Sequence, residues 1–406
     1  MDYEYLSQEN ISQYLDSRPE LKGKIDPSAI SEIKEVGDGN LNLVFIVSDS
    51  SGKSVVLKQA LPYVRLVGPE WPLSPQRAGK EANALHVHSA LAPDLVPEMF
   101  FYDPERFVIG MENLSEYRVW RGAMIEGLRH DGVASQMGEY VARVGFGTSV
   151  LALEADEHKQ RVAQAINPEL CKITEDLVFT EPHDDIGRNS VLPGNQKDAD
   201  EHAADPTMRA AMGEAKWMFM NQSEALIHGD LHTGSVMVRH TGQGSQGASK
   251  AFDSEFAFYG PLAFDLGALA ANYTLSAARW IALGDEELAS WNLSLVEQTW
   301  DAFESTFREL YPTRIDSRVW GDELLESLLT RWRTEMWLFA AAKMCRRIVG
   351  LAKVADIETL DPQHREGAAR GILRLARTLV TERHVDSSPS NLVSTALTIL
   401  SANKTG

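Results

Sequence analysis

Two short runs near the start of the chain, LNLVFIVSD at 41–49 and KSVVLKQA at 53–60, are dense in β-branched and apolar residues. A Ser-Asp-Ser-Ser-Gly turn joins them, so the pattern predicts an antiparallel hairpin. Ala, Leu and Glu then recur at helical spacing over about 76–91. VPEMFFYDPERFVIGMENL at 96–114 reads as two more strands around an Asp-Pro turn. From about Tyr117 onward the 3.6-residue period takes over, predicting helices over 133–165, 209–223, 264–285, 289–310, 322–353 and 363–383. The acidic stretch 180–206 has no sustained period and predicts a long surface loop. The Gly/Ser-rich stretch 241–250 predicts a hairpin tip between two strand-like runs. The pattern therefore gives an α+β fold with a small β-rich lobe over 1–113 and a large, mainly helical lobe over 114–406.

Composition narrows the class. The chain has 406 residues, of which 44% are hydrophobic and 24% charged, as in ordinary globular proteins. A net charge of −19 argues against a nucleic-acid or anionic-membrane partner, both of which select basic surfaces. Cys171 and Cys345 are the only cysteines, too few for a disulfide framework or a thiolate cluster. MDYEYLSQEN lacks the basic and apolar regions of a signal peptide, and no run of about 18 apolar residues predicts a membrane span. The expectation is a cytoplasmic protein.

Four constellations carry chemistry. In EVGDGNLNLVFIV (35–47), Gly37-x-Gly39 between two strands lets backbone amides approach an anionic phosphate. Asn42 stands where the protein kinase glycine loop has its third glycine. Lys58 closes the next strand, where an ammonium can grip nucleotide phosphates, and Glu81 on the following helix is its expected partner. ALIHGDLHTGSVM (225–237) offers two chemistries. His228 and His232 have the spacing of a helical zinc site, but Gly229 and Gly234 read as a strand entering a loop. As a kinase-type catalytic loop, the same stretch makes Asp230 the base that orients an attacking hydroxyl, with His228 bracing the backbone. Ser235 occupies the position of the kinase asparagine and is the poorer metal ligand.

Downstream, KAFDSEF places Asp253 and Glu255 two apart, and a strand there would put both carboxylates on one face for a Mg²⁺ ion. Asp265, in a decoy of the kinase D-F-G, reads as a helix-start or loop-bracing residue. Arg346 and Arg347 lie on an apolar helix before Gly350. They suit either the helix dipole or a phosphoryl or sugar site. A catalytically dead, kinase-shaped binding protein is the alternative class, against which Lys58, Asp230, Asp253 and Glu255 stand together.

GDGNLNLVF, VGPEWPLSPQRAGKEANAL, IHGDLHTGSVMV, KAFDSEFAFYGPLAFDLG and MCRRIVGLAKVAD together resemble the S-methyl-5-thioribose kinases, within the aminoglycoside phosphotransferase and choline kinase-like group, over nearly the whole chain. The resemblance implies a protein kinase-like two-lobed fold and ATP-dependent phosphorylation of the 1-hydroxyl of 5-methylthioribose. A related kinase acting on an aminoglycoside or choline-like alcohol is the alternative. It implies that Asp230 is the catalytic base and touches substrate, that Arg346 and Arg347 flank the transferred phosphate and the sugar, and that Asp253 and Glu255 bind Mg²⁺. It further implies ATP contacts from Gly37, Gly39, Asn40, Asn42, Lys58 and Glu81, and from the hinge residues Glu112 and Leu114 near adenine. Trp71 would lie on a loop closing over the nucleotide. A homodimer is implied by the family alone.

Overall fold

The computed structural model describes residues 3–37, 41–65, 68–240 and 247–405. After the helix α1 (Ile11–Asp16), the first lobe is an antiparallel sheet of β1 (Ile30–Val36), β2 (Asn42–Asp49), β3 (Ser54–Ala60), β7 (Val108–Glu112) and β6 (Met99–Asp103), in that spatial order. The small ribbon β4 (Tyr63–Val64) and β5 (Gly68–Pro72) leads into α2 (Arg77–Leu91). The expected hairpin forms with Phe45 opposite Leu57 and Val47 opposite Val55.

Strand alternation sends the two faces of the sheet to different partners. Val55, Leu57 and Val108 pack with Ile11, Tyr14 and Leu15 of the N-terminal segment. Val56, Ile109 and Met111 pack with Ala82 and Leu85 of α2. Gln59, fully buried, turns toward the first segment: its Oε1 accepts from the Leu6 amide at 2.8 Å and its Nε2 donates to the Glu4 carbonyl at 2.9 Å. Lys58, its neighbour, points the opposite way.

The rest is mainly helical. β8 (Arg118–Val119) leads to α3 (Trp120–Ile125), α4 (Val133–Gly147), α5 (Ala155–Gln164), α6 (Pro168–Thr174), α7 (Gln196–Ala204) and α8 (Pro206–Asn221). Short strands β9 (Ala225–Ile227), β10 (Val236–Arg239), β11 (Ala248–Ala251) and β12 (Phe258–Gly260) follow, with β10 between β11 and β8 and β9 paired to β12. Then come α9 (Ala263–Leu283), α10 (Glu286–Leu310), α11 (Asp322–Ile348), α12 (Ala355–Glu358), α13 (Pro362–Glu382) and α14 (Pro389–Ser401). Asp205, Asp361 and Ser388 each precede a proline and accept from amides of the first turn, which starts α8, α13 and α14. α9 and α11 approach backbone to backbone at Gly267, where a Cβ would lie 2.9 Å from the Met336 carbonyl. No helix among the described residues is long and apolar enough to cross a membrane.

Three expectations need correction. The helix expected over 133–165 is two helices: Thr148 Oγ1 turns back to the Val144 carbonyl and accepts from the Leu226 amide, ending α4 against β9. The loop expected over 180–206 contains α7, held by Asp198 with Arg370 of α13 and by buried His202. Its short polar pattern carries little period, and tertiary contacts stabilise it. The helix expected to 353 ends at Ile348, where the Arg347 guanidinium takes the Ala352 and Lys353 carbonyls. The hairpin expected at 241–250 forms between β10 and β11, with 241–246 outside the described residues.

Candidate active site

β9 ends at Ile227 and the chain turns sharply at Gly229, whose φ is +80°. A Cβ there would stand 2.2 Å from the Phe256 carbonyl, so glycine is required twice over. Asp265, buried in the first turn of α9, accepts from the amides of His228 at 2.8 Å and Gly229 at 3.1 Å. The His228 ring donates Nε2–H to the Phe252 carbonyl at 2.9 Å, and its Nδ1 accepts the Asp230 amide at 3.4 Å. His228 and Asp265 thus brace the loop, and Asp230 is presented at its tip.

Asp230 faces a cluster of cations. Lys343 of α11 donates to its Oδ1 at 2.8 Å, and Arg346, one turn on, lies 3.8 Å from the same oxygen. Burial opposes the charge of Asp230, but Lys343 foremost, with Arg346 and Arg347, holds the carboxyl well below the usual carboxylate range. Burial drives His232 well below its ordinary value, so its ring is neutral where Nε2 meets Asp230 Oδ2 at 3.4 Å. Ser235 Oγ lies 3.1 Å from the other ring nitrogen of His232. Arg121 of α3 and Asp356 of α12 complete the surround, 3.5 Å apart. Arg347 is close enough to act on Asp230 electrostatically while its guanidinium ties down the turn after α11.

A second cluster gathers carboxylates. Glu81, Asp253 and Glu255 each bring an oxygen within 4.8 Å of the others. Lys58 pairs with Glu81 at 2.7 Å and with Asp253. Arg77, at the start of α2, lies 3.5 Å from Glu255 and also donates to the carbonyls of Leu61 and Leu41. Burial alone would lower the Lys58 pKa, but Asp253, Glu81 and Glu255 hold it above its ordinary value. Burial pushes Glu81 up to about 7 and raises Glu255 as well. The donor set is hard oxygen, and Asp253 keeps its side chain 42% exposed, so the cluster fits a Mg²⁺ ion with an open side.

The strand expected through Asp253 and Glu255 is absent: β11 stops at Ala251, and Asp253 has φ +66°, which aspartate tolerates better than most residues. A turn, not the pleat of a strand, brings the two carboxylates together.

Asn42 joins this cluster directly, donating Nδ2 to Glu255 at 2.9 Å and accepting from Arg77 at 3.1 Å. Gly37 sits at the end of β1 with open space where a Cβ would be. Gly39 and Asn40 lie outside the described residues. Trp71 is half-buried on β5, packed against the cluster of Val64, Leu73 and Leu170, with the Arg188 guanidinium 5.5 Å from its ring. Glu112 ends β7 and pairs with Lys250 at 3.2 Å, and Leu114 is buried on the connection that follows. Sequence reasoning missed Lys343, Arg77, Arg121 and His232 as parts of the two clusters. Lys343 had a legible signal, since it lies three residues before Arg346 on the same helical face.

A model of the phosphotransferase enzyme family matches residues 32–304. The chain belongs to that family, and its fold is the kinase-like one. Closer relatives narrow it. A methylthioribose kinase of Geobacillus sp. (strain WCH70) is 37% identical over 91% of this chain and 91% of its own. That of Geobacillus kaustophilus is 38% identical over 87% of each chain. Within the phosphotransferases, the chain belongs with the methylthioribose kinases. Among solved structures, a choline kinase from Cryptosporidium parvum aligns over 98% of this chain and 99% of its own, at 13% identity and a TM-score of 0.45.

Proposed function

We propose that the protein transfers the γ-phosphoryl group of ATP to the 1-hydroxyl of 5-methylthioribose, giving 5-methylthioribose 1-phosphate and ADP in methionine salvage. The observation that carries this reading is a half-buried Asp230 set in a cationic cluster, in a chain alike over nine tenths of its length to methylthioribose kinases. Asp230 orients the sugar hydroxyl. As the new O–P bond forms and the bond to ADP breaks, the hydroxyl proton passes to the carboxylate. Such a transition state asks for positioning and charge more than for a strong base, which suits a carboxylate held ionised. Arg346 lies beside the acceptor and offers N–H donors to the transferred phosphoryl oxygens, with Arg347 adding charge from behind.

Lys58 would hold the ATP phosphates, kept in place by Glu81. Asp253 and Glu255, with Glu81 near, would hold Mg²⁺, which supplies charge neutralisation on the phosphates when bound. Gly37, Gly39, Asn40 and Asn42 would line the phosphate turn, Glu112 and Leu114 would meet adenine through their backbone, and Trp71 would help cover the nucleotide. Such cover would exclude water and limit ATP hydrolysis. The division at 113/114 would separate nucleotide binding from catalysis. We extend the reading to a cytoplasmic location and to a homodimer, the latter tested by sedimentation of the purified chain.

An ADP-release assay with methylthioribose, choline and kanamycin tests the substrate: turnover is expected with methylthioribose, and turnover confined to the other two would overturn the reading. Asp230→Asn is expected to bind ATP normally while turnover falls by orders of magnitude.

A further inference from the structure

Lys343 is a buried ammonium that faces the candidate catalytic aspartate. It lies 4.4 Å over the Phe264 ring and donates at 2.8 Å to Asp230 Oδ1. Removing an ammonium from water is costly unless it is paired, and an apolar residue of similar size would pack α11 against α9 at no such cost. The choice of lysine over arginine also matters. A guanidinium forks across both oxygens of a carboxylate, whereas an ammonium is a point donor that occupies one. Here that one is Oδ1. Among the described residues, the other oxygen, Oδ2, meets only the neutral His232 ring, at 3.4 Å.

We propose that Lys343 is the positioning residue of the transfer: it pins Asp230 through Oδ1 and leaves Oδ2 for the acceptor hydroxyl. Its charge beside Asp230 also favours the ionised carboxylate. The proposal rests on Asp230 as the group that takes the hydroxyl proton. The other charged and titratable groups around the pair are Arg346 and Arg347 on α11, His232 on the loop, Arg121 on α3, Asp265 on α9 and Asp356 on α12. Lys343 is the one among them in hydrogen-bond contact with Asp230 from another element. Burial, assisted by Arg346 and Arg347, lowers its pKa to about 8, which keeps it charged at neutral pH.

The test compares Lys343→Met and Lys343→Arg with the parent chain in the methylthioribose assay across pH, with ATP binding and thermal midpoint recorded for each. If the parent chain does not turn over methylthioribose, the functional reading fails, whatever Lys343 does. If it does, Lys343→Met is expected to lower kcat on the order of 100-fold, with the KM for the sugar little changed. The acid limb of its pH profile should move toward neutrality, because Asp230 loses the charge that keeps it ionised. Lys343→Arg is expected to restore the acid limb but only part of kcat, since the fork covers Oδ2. A Lys343→Met enzyme with an unmoved acid limb overturns the proposal, whether kcat is kept or lost. Should that variant fail to fold, Lys343→Gln carries the same comparison.

Discussion

Gly229→Ala places a methyl group where the Asp230 loop touches the loop that carries Asp253 and Glu255. Its backbone φ of +80° costs an L-residue about 1–2 kcal/mol. The added Cβ would lie 2.2 Å from the Phe256 carbonyl, against an ordinary contact of 3.4 Å. The two segments must therefore part by about 1 Å, and forcing atoms into a packed site costs about 1–3 kcal/mol more. Phe256 has little freedom to retreat, since Asn167 Nδ2 grips the carbonyls on either side of it, those of Glu255 at 2.8 Å and Ala257 at 3.2 Å. The strain falls on Asp230 on one side and Glu255 on the other. The sum, about 2–5 kcal/mol, predicts a thermal midpoint lower by roughly 2–6 °C for a chain of 406 residues. A displacement of this size at the reacting groups predicts a kcat loss on the order of 100-fold in the surviving folded enzyme. Differential scanning fluorimetry and the ADP-release assay at a temperature where the variant is folded read the two effects separately. Gly213→Ala is the control: exposed within α8, with nothing within 4 Å of its Cβ, it should stabilise by about 0.5–1 kcal/mol and leave kcat alone. A Gly229→Ala enzyme with parental midpoint and turnover would refute the account of the loop.

Arg77→Met removes the guanidinium that faces buried Glu255 and binds the Leu41 and Leu61 carbonyls. A loss of about 3–5 kcal/mol is expected in denaturant melts, with weakened Mg²⁺ dependence of turnover as Glu255 shifts. His183 and His202 pack at a tilt with ring centroids 4.6 Å apart, and burial lowers them to about 3 and about 4. Below the unfolded value near 6.5 the unfolded chain binds more protons than the folded one. Stability should therefore fall as pH drops from about 6.5 toward 4, by up to about 1.4 kcal/mol per pH unit per histidine. Melts from pH 7 to 4.5 of His202→Gln should show a shallower fall than the parent, and equal slopes would remove the pair from the acid response.

The sequence made the strong periods legible. The β2–β3 hairpin, α2 and the long α9, α10 and α13 form where alternation or the 3.6-residue period runs unbroken. α7 escaped because its nine residues are polar or alanine and carry no period, and its anchors, Arg370 and the His183 contact, lie outside it in sequence. At the site, the identities of Asp230, Lys58 and the D-x-E pair were visible as motifs, but their geometry was not. The left-handed turn at Asp253 cannot be told from a strand by a two-residue spacing. Arg77 carried no signal at all, because what makes it part of the site is the Glu255 that the fold brings to it.

The grip of the first segment on Gln59 has a practical side. Gln59 and Lys58 are adjacent on one strand and face opposite ways, so the strand is held from behind at the residue next to its ammonium. Tyr3 adds a hydrogen bond to the Ala60 carbonyl, one residue further. A tag, cleavage scar or trimmed end that disturbs residues 3–6 therefore loosens the back wall of Lys58. Kinetic comparisons between preparations differing only there should be treated as comparisons between different enzymes.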